Sequence, residues 1–439
     1  MNNIGQKIFF VALFISLIFM GMIYGMAAYK MELWPYPFFR DAYRAAKALQ
    51  EKTKPRSKYD DRKLFPRTRY LKSGIFKYNK DKADNGLTLF SSGHAQKAFL
   101  MTMDGKIVHE WEFPFSKAWD NPPHVNMPLP EDFIYWRKAN LYPNGDLLAT
   151  YEVHGDTPYG YGLVKVDKDS NLLWKYAENV HHDVSVGNDG RIYALIHDFT
   201  QEKVPQINLE PPLLEDGIAI LSADGQEIKQ ISISKAFYNS DFKELLYTLG
   251  ETSVKWDPWH VNAVDVLDES LAAKFPFLKP GQILVSIRNI DVIAAIDPDS
   301  EQVVWATKGY WHRQHDPDFL SNGNMLIFDN QGYYGKGGYS RVIEFNPLTM
   351  EIVWQYTGDE QNPVRTLAKS SQQRLANGNT LITESYQGRI FEVTPKKEIV
   401  WEFISPFRHP ENENFLAIVS WGQRIYPDSL NFEFSKQYK

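Results

Sequence analysis

The chain has 439 residues, 43% of them hydrophobic and 14% aromatic, enough for one large domain or two or three small ones with a substantial core. Its net charge of -6 and the lack of a long basic cluster speak against nucleic acid as a partner. It contains no cysteine, which excludes disulfides, thiolate catalysis, Cys-ligated zinc and iron–sulfur clusters.

The first element is apolar. From Ile8 to Tyr29 no residue is charged, and Lys7 and Lys30 flank the run. At about 1.5 Å per helical residue this run spans a bilayer and exceeds the core of a cleaved signal peptide. Residues 1–30 are therefore expected to be a transmembrane signal-anchor. Lys7 favours a cytoplasmic N-terminus, whereas Lys30, Arg40, Arg44 and Lys47 after the span favour the opposite. Residues 37–53 read as a short amphipathic helix near the membrane, and 54–84 as a polar linker, so that 31–84 is expected to be a juxtamembrane helix and linker.

From residue 85 onward helical periodicity gives way to short strands and turns. One strand ending recurs: DGKIVHEW at Trp111, DSNLLWKY at Trp174, DSEQVVWA at Trp305, TMEIVWQY at Trp354 and KKEIVWEF at Trp401, with DGQEIKQI placing Ile231 in the same role. A second element is a hairpin with a Gly-containing turn, beginning at Ala139, His182, His260, His315 and Ser371. Each unit is a four-stranded meander of about 45–60 residues with insertions, the pattern of a propeller blade. Residues 86–113 supply strands two to four of a further blade, and the C-terminal FLAIVSWGQRIYP supplies its missing first strand. The expected fold is all-β: a six-bladed β-propeller over 85–439, closed by pairing its two ends, behind an N-terminal transmembrane helix and a short amphipathic helix.

The first strand of a blade lines the central channel. His182, His260 and His315 take one phase of three such strands, with Ala139 and Ser371 at that phase in two others, so the three histidines are expected to converge on the axis. Arg288 ends the second strand of the His260 blade, and the hairpin returns it beside that histidine. Three imidazoles and a guanidinium suit transfer of a sulfuryl or phosphoryl group through a covalent histidine: one imidazole attacks, another carries the proton, and the guanidinium holds oxyanion oxygens. The same histidines could hold zinc or non-haem iron, with His181 or His312 as a fourth ligand, although Arg288 is hard to place beside a cation. A non-catalytic, membrane-tethered binding or scaffold propeller is the other reading.

These residues resemble a family. HHDVSV (from His181), DPWHVNAVDV (from Asp257), LVSIRNID (from Leu284), QHDPDFLSNGNMLIFDN (from Gln314) and SQQRLANGNTLI (from Ser371) look like the motifs of the bacterial arylsulfate sulfotransferases and their arylsulfotransferase-like relatives, over roughly residues 85–430. The resemblance implies a six-bladed propeller outside the cytoplasm that moves a sulfuryl group from a phenolic sulfate donor to a phenolic acceptor without PAPS or any other cofactor. It implies His315 as the nucleophile, His260 and Arg288 as binders of the sulfuryl oxygens, His182 as the proton carrier, and no metal. It also places the chain at the cytoplasmic membrane as a single-pass protein with the propeller on the periplasmic side. The well-studied branch has a separate N-terminal β domain and a disulfide, and this chain has neither a cysteine nor that domain's pattern, so the match is to the superfamily. Trp256, Trp259 and Trp311, with the loops TPYGYG (from Thr157) and QGYYGKGGYS (from Gln331), are candidates for shaping the acceptor site.

Overall fold

The Gly-containing turns do what their sequences require. Gly145, Gly190, Gly323 and Gly378 each take a positive φ, between 81° and 87°, and each closes a tight hairpin between the first two strands of a sheet. The computed structural model describes residues 3–53, 57–205, 207, 209–249, 256–333 and 339–434. It divides into two compact units, Met1–Arg56 and Ser57–Lys439.

The first unit holds two helices, α1 (Asn3–Met31) and α2 (Tyr36–Thr53). Residues Ile4–Met31 are long and apolar enough to cross a bilayer, and none of the span's most apolar window is buried against protein. α2 is amphipathic, as its sequence predicts, and Phe38, Phe39 and Tyr43 are exposed.

The second unit is a six-bladed β-propeller. The inner strands of its blades are Val419–Ile425 in blade I, Ile134–Leu141 in II, Val180–Val186 in III, Val261–Val266 in IV, His315–Phe319 in V and Ser371–Arg374 in VI. Each inner strand touches the next, and the ring is complete. Closure occurs in blade I: Val419–Ile425 pairs antiparallel with Leu87–Ser92, so the two ends of the domain share one sheet and no inner edge is left open.

The recurring tryptophan has a structural reason. It lies within the fourth strand of its blade, and in three copies its ring nitrogen reaches the next blade. Trp111 Nε1 donates to Gly145 O at 2.9 Å, Trp354 to Pro395 O at 3.0 Å, and Trp401 to Met103 O at 2.8 Å. Each of these bonds crosses from one blade to a turn of the following one. Trp401 and its bond are fully buried at the closing junction, so Trp401→Ala removes about 3–5 kcal/mol of stability. Urea unfolding of the full chain reads this as a lowered midpoint.

The polar stretch before the repeats behaves differently from a linker. Gly74–Tyr78 pairs with Ile399–Ile404 as a fifth, outermost strand of blade VI. Leu64 and Phe65 are buried, and Ile418 N–H donates to Leu64 O at 2.9 Å, just before the closing strand. Residues 57–84 thus belong to the propeller's own unit. Their signal is weak in sequence, because GIFKY has only half-buried and exposed residues and no paired turn.

His94 lies in this wrapped region. Its ring stacks on Phe407 with centroids 3.5 Å apart, and among the described residues its buried Nδ1 has no partner. Burial, with Lys58 and Lys97 close by, pushes its pKa down to about 3. An unfolded histidine titrates near 6.5. The folded value is the lower one, so the unfolded state binds more protons in acid, and stability is whole above pH 6.5 and drains as pH falls towards 3. His94→Phe keeps the stacking and flattens the fall in melting temperature across that window.

Candidate active site

Pairing register shows which inner-strand residues are equivalent. Leu141, Val186, Val266, Phe319, Arg374 and Ile425 each face the first residue of the adjoining second strand. Counting back four from each gives Arg137, His182, Asn262, His315, Ser370 and Trp421. His182 and His315 therefore share a phase, as expected. His260 lies two residues further out, and the residues in phase on blades II and VI are Arg137 and Ser370 rather than Ala139 and Ser371. In blades II to V the register of the inner strand slips at a β-bulge, whereas blade VI pairs without one, and residues at the slips or beside them adopt left-handed φ, 50° at His182, 53° at His260 and 53° at Asp316. Left-handed non-glycine residues are strained and gather where function holds them.

The bulges still bring the histidines together. The rings of His182 and His260 are 4.9 Å apart between centroids. His260 Nδ1 lies 2.5 Å from Asp257 Oδ2, which orients the ring and leaves Nε2 without a protein partner among the described residues. Tyr159, from the TPYGYG loop, sits against both rings, with its hydroxyl 3.4 Å from His260 Nδ1. His182 is buried, and burial together with the neighbouring His260 and His181 holds its pKa well below the usual value.

His315 is buried and has both nitrogens engaged. Asn330 donates its amide to Thr366 O and Lys369 O, so its Oδ1 faces His315 Nδ1 at 2.7 Å and accepts that proton. Nε2 is thereby left as the lone-pair nitrogen, and it accepts the Lys369 amide N–H at 3.0 Å. Burial and the charges of Arg288 and Arg137 hold His315 neutral, well below the usual histidine range.

Arg288 connects to the site through its backbone and its charge. Its amide donates to His260 O at 3.2 Å, and one guanidinium nitrogen donates to Asn289 Oδ1 at 3.0 Å, which Arg313 also uses. Among the described residues its buried Nε has no partner and no carboxylate lies within ion-pairing distance. Burial and the like charge of Arg313 bring its pKa down to about 10.

Several further groups reach this site and were not singled out from sequence. Arg137 acts on both His182 and His315. The Lys369 ammonium, 3.0 Å from Glu152 and 2.6 Å from Tyr135 Oη, is brought down to about 8 by burial. Burial opposes the charge of Glu152, yet Lys369 and Arg137 pull its pKa down to about 2, and its Oε2 accepts the His182 amide. Spacing could have revealed Arg137, which stands eight residues before Gly145 as His315 stands eight before Gly323. Nothing in the spacing marks Lys369, whose backbone is left-handed at φ 62°.

Other expectations come apart. His312 pairs with Asp291 at 2.9 Å on the surface and is not a member of the cluster. Trp259 and Trp311 are core side chains between blades, while Trp256 is exposed. The QGYYGKGGYS loop falls partly outside the described residues, at 334–338. A cavity of about 840 Å³ lies further along the axis, lined by Lys138, Asp183, Asp265, Asp316, Asp318 and Gln372 among others, and none of the four predicted site residues lines it.

A family model described as arylsulfotransferase (ASST) matches residues 138–406. No curated protein matches the chain. Among solved structures it is similar to a protein of unknown function from Bacteroides caccae, at 14% identity and TM-score 0.49, covering 77% of this chain and 98% of that one. It is also similar to a streptogramin B lyase, at 12% and 0.40 over 78% and 87%, and to a virginiamycin B lyase from Staphylococcus aureus, at 11% and 0.35 over 62% and 70%. At these scores none of the three bears on activity. The family match takes in more than half of the sequence and includes all four residues of the His–Arg cluster: the chain belongs to the arylsulfotransferase family.

Proposed function

We propose that the protein transfers a sulfuryl group from an aryl sulfate to a phenol through a sulfohistidine, without PAPS. The observation that carries this reading is Arg288. A buried guanidinium with an unfilled donor and, among the described residues, no carboxylate within ion-pairing distance, set beside uncharged imidazoles, is a receptor for an oxyanion.

In the first half-reaction the His315 Nε2 lone pair forms a bond to sulfur as the ester S–O bond breaks. The departing oxygen leaves as a phenolate and takes its proton from solvent, while Arg288 holds the sulfuryl oxygens, joined by His260, whose Nε2 must then carry a proton. In the second, an acceptor phenol gives its proton to His182 while its oxygen takes the sulfuryl group and the N–S bond breaks. The His315 tautomer suits this, because Asn330 keeps the proton on Nδ1. The Lys369 amide must release Nε2 before attack.

One observation favours a second assignment. His260 already has an aspartate on Nδ1 and an open Nε2, the arrangement of an activated nucleophile, whereas Nε2 of His315 is capped. In that reading His260 carries the sulfuryl group and His315 binds it.

The assay is p-nitrophenyl sulfate with and without a phenol acceptor. Nitrophenol release that depends on acceptor supports transfer. Equal release without acceptor means hydrolysis, and no release with any phenol leaves the non-catalytic propeller. We further propose that α1 anchors the chain in the cytoplasmic membrane with the propeller outside, so that protease added to intact spheroplasts digests the propeller; full protection would reverse that orientation.

A further inference from the structure

Two histidines meet nitrogen to nitrogen behind the site. His181 Nδ1 and His182 Nδ1 are 2.8 Å apart, and both rings are buried. Two neutral imidazoles share a single proton in such a contact, so one ring donates and the other accepts. The next contact outward decides which. His181 Nε2 lies 3.4 Å from Asp216 Oδ1, with both side chains 0% exposed, while Asp216 Oδ2 accepts the Val261 amide at 3.0 Å. Neither His181 Nε2 nor Asp216 Oδ1 has another partner among the described residues.

Burial raises the Asp216 pKa and the His181 contact opposes that rise; beside the ionised carboxylate, a bare His181 Nε2 would set a lone pair against an oxygen in a fully buried place. A proton on Nε2 removes that conflict. His181 Nδ1 is then the acceptor, His182 Nδ1–H the donor, and His182 Nε2 the bare nitrogen.

A cation is the competing occupant, because ligand atoms of His181, His197 and Asp216 lie within 4.8 Å of one another. His197 argues against it. Its Nε2 accepts the Gly160 amide at 3.2 Å, which puts its proton on Nδ1 and leaves no lone pair for a metal. Its ring stacks on His181 with centroids 4.0 Å apart, a packing role.

We infer that Asp216 and His181 form a positioning relay behind His182, holding its Nδ1–H so that Nε2 is free to take and return the phenol proton. The inference rests on the reading of His182 as the proton carrier. The relay has a consequence that the other tautomer lacks. His182 can pass from neutral base to imidazolium and back without breaking its Nδ1 contact, and the Asp216 carboxylate at the far end of the row steadies the imidazolium charge. His182 also faces His260, Arg137, Lys369, Glu152 and Tyr159, and Asp216 also faces Asp257 and Glu215. Those groups set the background on which the relay acts.

The direct test is the nitrogen NMR spectrum of the full chain in detergent, labelled with 15N-histidine and assigned by difference with His182→Gln. The expected result is a protonated Nδ1 and a bare Nε2 on His182. The second arm is Asp216→Asn, checked for an unchanged melting profile. Without the carboxylate the imidazolium is less favoured, so the acid limb of acceptor-dependent kcat/KM moves to lower pH. The plateau falls about tenfold or more, while KM for the donor stays within about twofold. A His182 that is protonated on Nε2 in the native protein overturns the relay, and so does stoichiometric metal in the purified protein that Asp216→Asn releases. An unshifted pH profile in a folded variant does the same. If the native protein shows no sulfuryl transfer, the proposed activity fails, and the spectrum alone decides the relay.

Discussion

His315→Asn is expected to abolish acceptor-dependent turnover, by roughly 10³-fold or more, the scale on which loss of a nucleophile acts. Asparagine can keep one hydrogen bond towards Asn330 or the Lys369 amide but offers no lone pair able to attack sulfur. The ring stands at the start of the blade V inner strand, and its polar contacts go to Asn330, the Lys369 amide and the Arg313 carbonyl. The variant should therefore fold, and an unchanged circular dichroism spectrum beside the lost rate separates chemistry from collapse. A His315→Asn protein that still turns over at a tenth of the native rate, combined with a dead His260→Asn, would transfer the nucleophile to His260.

Arg288→Lys is expected to lower kcat/KM by about 10²–10³-fold, the cost of removing an oxyanion donor. Lysine keeps the charge but not the planar fork, so it should recover little over Arg288→Met. The loss should fall mostly on kcat, because charge develops on the sulfuryl oxygens in the transition state. Stability should change little, since the one side-chain bond recorded for Arg288 goes to Asn289 Oδ1, which keeps Arg313 as a donor. Steady-state kinetics over a range of p-nitrophenyl sulfate concentrations separates kcat from KM.

Much of the propeller was legible because its signals are local. A Gly-containing turn closes a hairpin wherever it occurs, and a tryptophan in the fourth strand recurs because each blade must grip the next. The closing strand was legible by subtraction, from a blade that lacked its first strand. The cluster was legible as a set of four residues but not as a layer. Counting along an inner strand works only until the first bulge, and the bulges in blades II to V lie where the histidines stand. That is why His260 was aligned two residues off and why Ala139 took the place of Arg137, whereas Ser371 for Ser370 is a one-residue slip in blade VI, whose inner strand pairs without a bulge. Lys369 had no signal, because it enters the site from a left-handed turn before its strand. Asp216 and His181 were hidden for another reason: their meeting depends on three neighbouring strands of blade III in register, with His197 opposite Asp216. The residues before the repeat were read as a linker because their one strand adds to the outer edge of blade VI, where half its side chains face water.

The mechanism requires the sulfuryl group to rest on His315 between donor and acceptor. The protein is incubated with an aryl sulfate carrying radiolabelled sulfur, without acceptor, then quenched in base, digested and mapped. The prediction is label on the peptide that contains His315, chased off by phenol. Label on the peptide of His260, or a protein that releases nitrophenol to phenol with no labelled intermediate at all, would contradict it.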